Sequence, residues 1–122
     1  MDSRTSATLD AVNRFNDAFN SHNVDAVMEA MTDDCLFENT NPPPDGARYV
    51  GQDSVRAYWV KLFEKNPDAK FEAEETIVMG DRCTVRWVYR KMKEGKQWHL
   101  RGVDVFRVKD GKVAEKLSYV KG

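Results

Sequence analysis

The chain has 122 residues, enough for one domain with a buried core and too few for two. Its 41% hydrophobic and 32% charged residues are those of a globular chain, and 19 basic against 20 acidic residues leave no long-range field to recruit nucleic acid or acidic lipid. The start MDSRTSATLD has no signal-peptide core, and no apolar run reaches the ~18–20 residues of a membrane span. The expectation is therefore a cytoplasmic protein with a small-molecule partner, no nucleic acid and no membrane.

From Ser6 to Asn20, Leu9, Val12, Phe15 and Phe19 recur with helical period and predict the first helix. After the break at Ser21-His22-Asn23, the spacing of Val24, Val27, Met28 and Met31 predicts a short second helix reaching Thr32. Leu36 and Phe37 read as a brief strand before a proline loop. A third helix follows Gly51-Gln52-Asp53-Ser54, carries Val55, Tyr58, Trp59, Leu62 and Phe63, and stops at Asn66-Pro67.

Beyond Pro67 the chain changes character. Phe71–Met79, Cys83–Lys91, Gln97–Lys109 and Lys112–Lys121 are rich in β-formers and are separated by Gly80-Asp81, Glu94-Gly95 and Asp110-Gly111, which predicts an antiparallel meander. Helices first and strands afterwards give an α+β domain spanning 1–122, with three N-terminal helices on a strongly curved antiparallel sheet that leaves a conical space.

Along the third long strand, Trp98, Leu100, Gly102, Asp104 and Phe106 share one face, while His99, Arg101, Val103, Val105 and Arg107 share the other. A carboxylate on an otherwise apolar face is desolvated, so its protonated form is favoured unless a cation or donor answers it. That suits a general acid, or a base poised near neutrality. An aspartate bonded to backbone, or exposed at a sheet edge, would have the same parity. Val85, Trp87 and Tyr89 form the inward set of the preceding strand, as core or as cavity wall, leaving Arg86 and Arg90 outside.

His22 and His99 have no visible nucleophile or carboxylate partner and read as surface or interface residues. Cys35 and Cys83 read as buried free thiols. No metal-ligand spacing, phosphate loop or dinucleotide fingerprint occurs, so neither a metal nor a cofactor is expected. The basic run Arg90–Lys96 spans a hairpin and reads as a solvated turn; Lys116, which shares parity with Ser118, either reaches the pocket mouth or stays in water, and it is left out of the site because long lysines tend to snorkel outward.

The helix order, the aromatic third helix after Gly51 and the string Gly102-x-Asp104-x-Phe106-x-Val108-x-Asp110-Gly111-Lys112-Val113 resemble the nuclear transport factor 2-like superfamily. Within it the chain resembles the ketosteroid isomerase and polyketide cyclase (SnoaL-like) branch over nearly its whole length. The resemblance implies a cone-like barrel with a pocket between helices and sheet, and a homodimer through the sheet's outer face, where Val88, Val103 and Val105 lie among charges. It also implies proton transfer next to a carbonyl.

In ketosteroid isomerases an aspartate base ends the first strand, and Asn39 occupies the matching position here; an amide cannot accept that proton. The oxyanion-hole tyrosines match Phe15, Met31 and Trp59, which lack the hydroxyl. The second oxyanion donor, a protonated aspartate, matches Asp104. Polyketide cyclases and limonene-type epoxide hydrolases place an acid/base aspartate where Ser118 stands, which disfavours epoxide hydrolysis.

The candidate site is thus Asp104 as sole acid/base and Asn39 as a positioning hydrogen bonder. Its expected lining is Phe15, Phe19, Phe37, Tyr58, Trp59, Trp87, Trp98, Phe106 and Ser118. The ligand is expected to be a small hydrophobic carbonyl compound, bound with or without reaction; the remaining alternative is a dimeric interaction protein of the same fold with a vestigial pocket. Strand parity puts Phe37 and Asn39 on the pocket side and Leu36 and Glu38 on the other, with Pro42, Pro43 and Pro44 as a rigid wall.

Overall fold

Asp2 starts the first helix in the computed structural model, which describes residues 1–122: its carboxylate accepts from the Thr5 N–H at 2.7 Å, as a helix N-cap does. The elements in chain order are α1 (Ser3–Asn20), α2 (Val24–Glu29), β1 (Met31–Glu38), β2 (Arg48–Val50), α3 (Gln52–Lys65), β3 (Lys70–Met79), β4 (Arg82–Lys93), β5 (Lys96–Lys109) and β6 (Lys112–Val120). The helices cover one face of a six-stranded sheet ordered β2-β1-β6-β5-β4-β3.

Three expectations need correction. The second helix ends at Glu29, and Met31 opens β1; Met28 and Met31 are both buried, and over so short a span a helical stripe and the start of a buried strand look alike. The brief strand at Leu36 and Phe37 is the end of an eight-residue strand, and the unforeseen β2 pairs with it at the sheet edge. The sheet is mixed and open: β1 runs parallel to β6, and β2 and β3 remain as free edges. A parallel pair formed from opposite ends of the chain leaves no hairpin signal in the sequence.

Side chains lash α1 to both ends of β3. At one end Gly80 N–H donates to Thr5 Oγ1 at 2.9 Å, and Thr8 Oγ1 lies 2.6 Å from the Gly80 carbonyl as donor. At the other the Asn20 amide exchanges two hydrogen bonds with the Phe71 backbone, at 2.7 and 2.9 Å. Register slips in the β1–β6, β3–β4 and β5–β6 ladders bend the sheet beneath the helices.

Phe15 and Phe106 are fully buried, packed edge to face with ring centroids 5.7 Å apart, and Trp59 closes on Phe15 at 6.2 Å. Both phenylalanines, expected to line a pocket, belong instead to the packed core. The outer face of the sheet is ionic: Arg86 pairs with Glu75 at 3.6 Å, Arg90 with Glu72 at 3.7 Å, and Arg101 with Glu74. Val88, expected to be available there, is fully buried between its register neighbours Glu72 and Arg101.

Cys35 and Cys83 are free and buried. Burial pushes both thiols up, Cys83 from 9.0 to about 11. The folded state therefore holds the neutral thiol, and this contribution to stability is complete below pH 9 and lost as pH rises through about 11. Replacing Cys83 by Ala should flatten the fall of the thermal midpoint across that window, whatever its packing cost; equal pH slopes for the two proteins would contradict the linkage.

Candidate functional site

The alternation of β5 carries Trp98, Leu100, Gly102 and Asp104 along the inner face, and β4 lays Trp87, Tyr89 and Lys91 beside them. β6 adds Lys116 and Ser118, β1 adds Phe37, the residue just after β1 adds the Asn39 amide, and Phe19, Tyr58 and Trp59 close the space from the helices. Together they bound a cleft of about 290 Å³. Gly102 makes room for it: a Cβ there would come within 2.7 Å of the Trp87 indole and 2.3 Å of the Tyr119 carbonyl.

At the floor, Asp104 is 1% exposed. Ser118 Oγ donates to Asp104 Oδ1 at 2.7 Å, Lys116 Nζ donates to Ser118 Oγ at 3.0 Å, and the same ammonium lies 3.4 Å from Asp104 Oδ2. Lys116 is itself only 7% exposed, held 4.8 Å from the centroid of Phe37 and 5.6 Å from that of Trp59. The sequence left it open between pocket mouth and water; the structure makes it the buried cation that answers Asp104. The aromatic faces are attractive ground for an ammonium, which is why a lysine can end there.

Asn39, 7% exposed, spends its acceptor on the loop: Oδ1 takes the Ala47 N–H at 2.8 Å, and its own N–H donates to the Ala47 carbonyl at 3.0 Å. Its Nδ2 amide borders the cleft and reaches the Tyr58 hydroxyl. Burial raises the Tyr58 hydroxyl above its usual value, with the Asn39 side chain opposing. Burial, then the charges of Tyr58 and Asp68, push Tyr89 to about 12. Both tyrosines are therefore neutral donors at physiological pH. The indole N–H groups of Trp59 and Trp87 are buried without partners, each at a cost of about 1–3 kcal/mol.

Of the residues expected in the site, Asp104, Asn39, Phe19, Phe37, Tyr58, Trp59, Trp87, Trp98 and Ser118 meet at the cleft, and Phe15 and Phe106 lie behind it. The expected lining omitted Lys116, Lys91 and Leu100 among others, and Tyr89, read as core or cavity wall, proves to be wall. Lys91, placed both at the end of a strand and in a basic run read as a solvated turn, lies inside β4, which runs on to Lys93. The three prolines are exposed and leave the wall to Asn39, Thr40 and Asn41. Glu38 faces away, as parity predicts, and pairs with Arg48 at 2.9 Å. His22 is a packing residue, stacked on Phe63 with Nε2 3.0 Å from the Ala69 carbonyl. No group of three or more His, Cys, Asp or Glu side chains is arranged to hold a metal ion, and no helix is long and apolar enough to cross a membrane.

A family model of the SnoaL-like domain matches residues 12–116. The chain belongs to the SnoaL-like domain family. A nuclear transport factor 2-like protein of unknown function from Mesorhizobium loti is 39% identical, with 100% of this chain and 97% of that one covered and a TM-score of 0.85. A protein from Sinorhizobium meliloti, described provisionally as a polyketide cyclase, is 27% identical over 90% of this chain and 94% of its own, with a TM-score of 0.75. A provisional SnoaL-like polyketide cyclase from Jannaschia sp. CCS1 shares the fold at 19% identity and a TM-score of 0.84, over 99% of this chain and 90% of that one. No functionally curated protein matches the chain.

In this SnoaL-like domain, removing one member of the floor pair strands the other. Lys116→Met should lower unfolding stability by about 3–5 kcal/mol. Combining it with Asp104→Asn should cost less than the two single changes together, with a coupling of about 1–3 kcal/mol in urea unfolding; strictly additive costs would show that the pair does not interact.

Proposed function

We propose that this SnoaL-like domain binds a small, largely apolar carbonyl compound in the cleft and moves a proton at the carbon next to that carbonyl. One observation carries the reading: a carboxylate, a hydroxyl and an ammonium converge at the closed end of an aromatic cleft. Asp104 takes the proton, leaving the electron pair on an enolate whose oxygen is stabilised by the Lys116 ammonium, and then returns the proton to carbon. The Asn39 amide carries two N–H donors, one of them directed at Tyr58, and no basic lone pair, so it positions and does not abstract. The polyketide-cyclase description of the Sinorhizobium meliloti relative supports carbonyl chemistry of this class.

A second reading, binding without reaction, is favoured by the engagement of both Asp104 oxygens by Ser118 and Lys116. Deuterium uptake separates the two. In heavy water the protein should catalyse loss of the α-proton signal from some member of a panel of aryl ketones and β-keto esters, followed by NMR. Asp104→Asn should slow that loss by about 100-fold or more. Tryptophan fluorescence that reports binding while no panel member exchanges would establish the second reading and overturn the first.

We also propose a homodimer through the outer sheet face. Val88 is covered, but Ile77 is 61% and Tyr119 53% exposed there, with Val103 and Val105 half-buried beside them. Sedimentation at micromolar concentration should give the dimer mass, and Ile77→Lys should shift it toward monomer. A monomer at every concentration would remove the proposal.

A further inference from the structure

The inner face of β4 does not end in aromatic residues. After Trp87 and Tyr89 the same parity brings in Lys91, opposite Trp98 of β5, and both residues border the cleft. Lys91 Nζ lies 5.1 Å from the Trp98 ring centroid and donates to Asn66 Oδ1 at 2.8 Å, while Lys93 Nζ lies 5.6 Å from the same ring. Lys70, on the neighbouring strand, donates to the Asn20 carbonyl at 3.0 Å. None of these three ammonium groups has a carboxylate partner, whereas Arg86, Arg90 and Arg101 of the outer face all do.

Asp68, whose Oδ2 accepts from the Met92 N–H at 3.3 Å, is the acidic residue that lines this region. It borders an adjoining depression of about 330 Å³ that shares Lys91 and Trp98 with the cleft and adds Lys70, Arg90 and His99. Arg90 is already answered by Glu72, so Asp68 is the one carboxylate of the lining, beside the ammonium groups of Lys70 and Lys91. Two ammonium groups lie near one indole, and a bound anion would offset their charge. The other end of the cleft is electrically balanced, because Lys116 is matched there by Asp104.

We infer that the ligand of this cleft is a carboxylate-bearing amphiphile, an apolar carbonyl compound whose anionic end is captured at the mouth by Lys91, with Lys93 beside it. The inference rests on the carbonyl-binding reading above and adds the charge and polarity of the substrate to it. Trp98 and Asp104 are six residues apart on one strand, about 20 Å, so the apolar body between carbonyl and carboxylate must be extended. Leu100, Trp87 and Tyr89 offer it the apolar wall along that path. An uncharged ketone would leave the mouth cations unanswered.

The test uses 15-benzoylpentadecanoic acid, whose carbonyl and carboxylate carbons are about 19 Å apart when extended, against the strand span of about 20 Å, and its methyl ester, which differ only in the anion, with binding read by calorimetry at low and high salt. The acid should bind roughly three- to tenfold more tightly than the ester at low salt, and the advantage should shrink at high salt. Lys91→Gln should remove the preference, and Lys112→Gln, at the far hairpin, should keep it. Equal binding of acid and ester, or a preference that survives Lys91→Gln, overturns the anionic anchor and leaves the carbonyl cleft standing. If neither compound binds, the carbonyl-binding reading falls and the anchor with it.

Discussion

The β5–β6 ladder slips by one residue between Arg107 and Val108, and the contents of the cleft floor follow from that slip. The hairpin starts with Lys109 opposite Lys112 and Val108 opposite Val113. Continued without a break, that register would set Asp104 against Leu117 and Lys116 against Val105, on the charged outer face. Because β6 holds one extra residue at Ala114, Asp104 meets Ser118 and Lys116 meets Phe106. Side chains alternate with a period of two, so a single inserted residue exchanges the two faces of everything beyond it. The buried carboxylate finds its hydroxyl and its cation only for that reason, and a buried charge without them would be strongly unfavourable.

The two faces of the sheet consequently handle charge in opposite ways. On the outer face arginines and glutamates on adjacent strands neutralise one another; half-exposed pairs of this kind contribute little to stability but leave no surplus of either sign. On the inner face lysines lie against indole and phenyl rings, where little water screens them. Neutral tyrosine and asparagine donors occupy the remaining polar positions of the cleft. Such a lining has more donors than acceptors, which suits oxygen-rich, acceptor-bearing ligands.

Much of this was legible in the sequence because it depends on local pattern. The parity of Trp98, Leu100, Gly102 and Asp104 could be read within one strand, as could that of Phe37 and Asn39, and the turns at Gly80-Asp81 and Asp110-Gly111 announced their hairpins. What escaped depends on relations between distant segments. The parallel pairing of β1 with β6 has no local signature, and Phe15 and Phe106 differ from Phe19 and Phe37 only in lying one layer deeper. Lys116 stayed undecided because the general habit of lysine, an exposed ammonium on a long stem, is overridden here by a bulge and by the aromatic rings of two other elements. Lys91 fell both in a strand and in a basic run because composition alone does not distinguish the last inward residues of a long strand from a turn.

The loop after β1 returns on itself: the Asn39 backbone N–H and side-chain Oδ1 both bond to Ala47, Gly46 N–H donates to the Pro42 carbonyl, and a Cβ on Gly46 would fall 1.8 Å from the Asn39 carbonyl. Asn39 is thus fixed by the two ends of the excursion and not by its tip. The tip is exposed, and loop length enters closure entropy only logarithmically. Thr40–Asp45 is therefore an exchangeable cassette: it could be lengthened, shortened or recomposed, reshaping the rim of the cleft, while the Asn39 amide stays where it is.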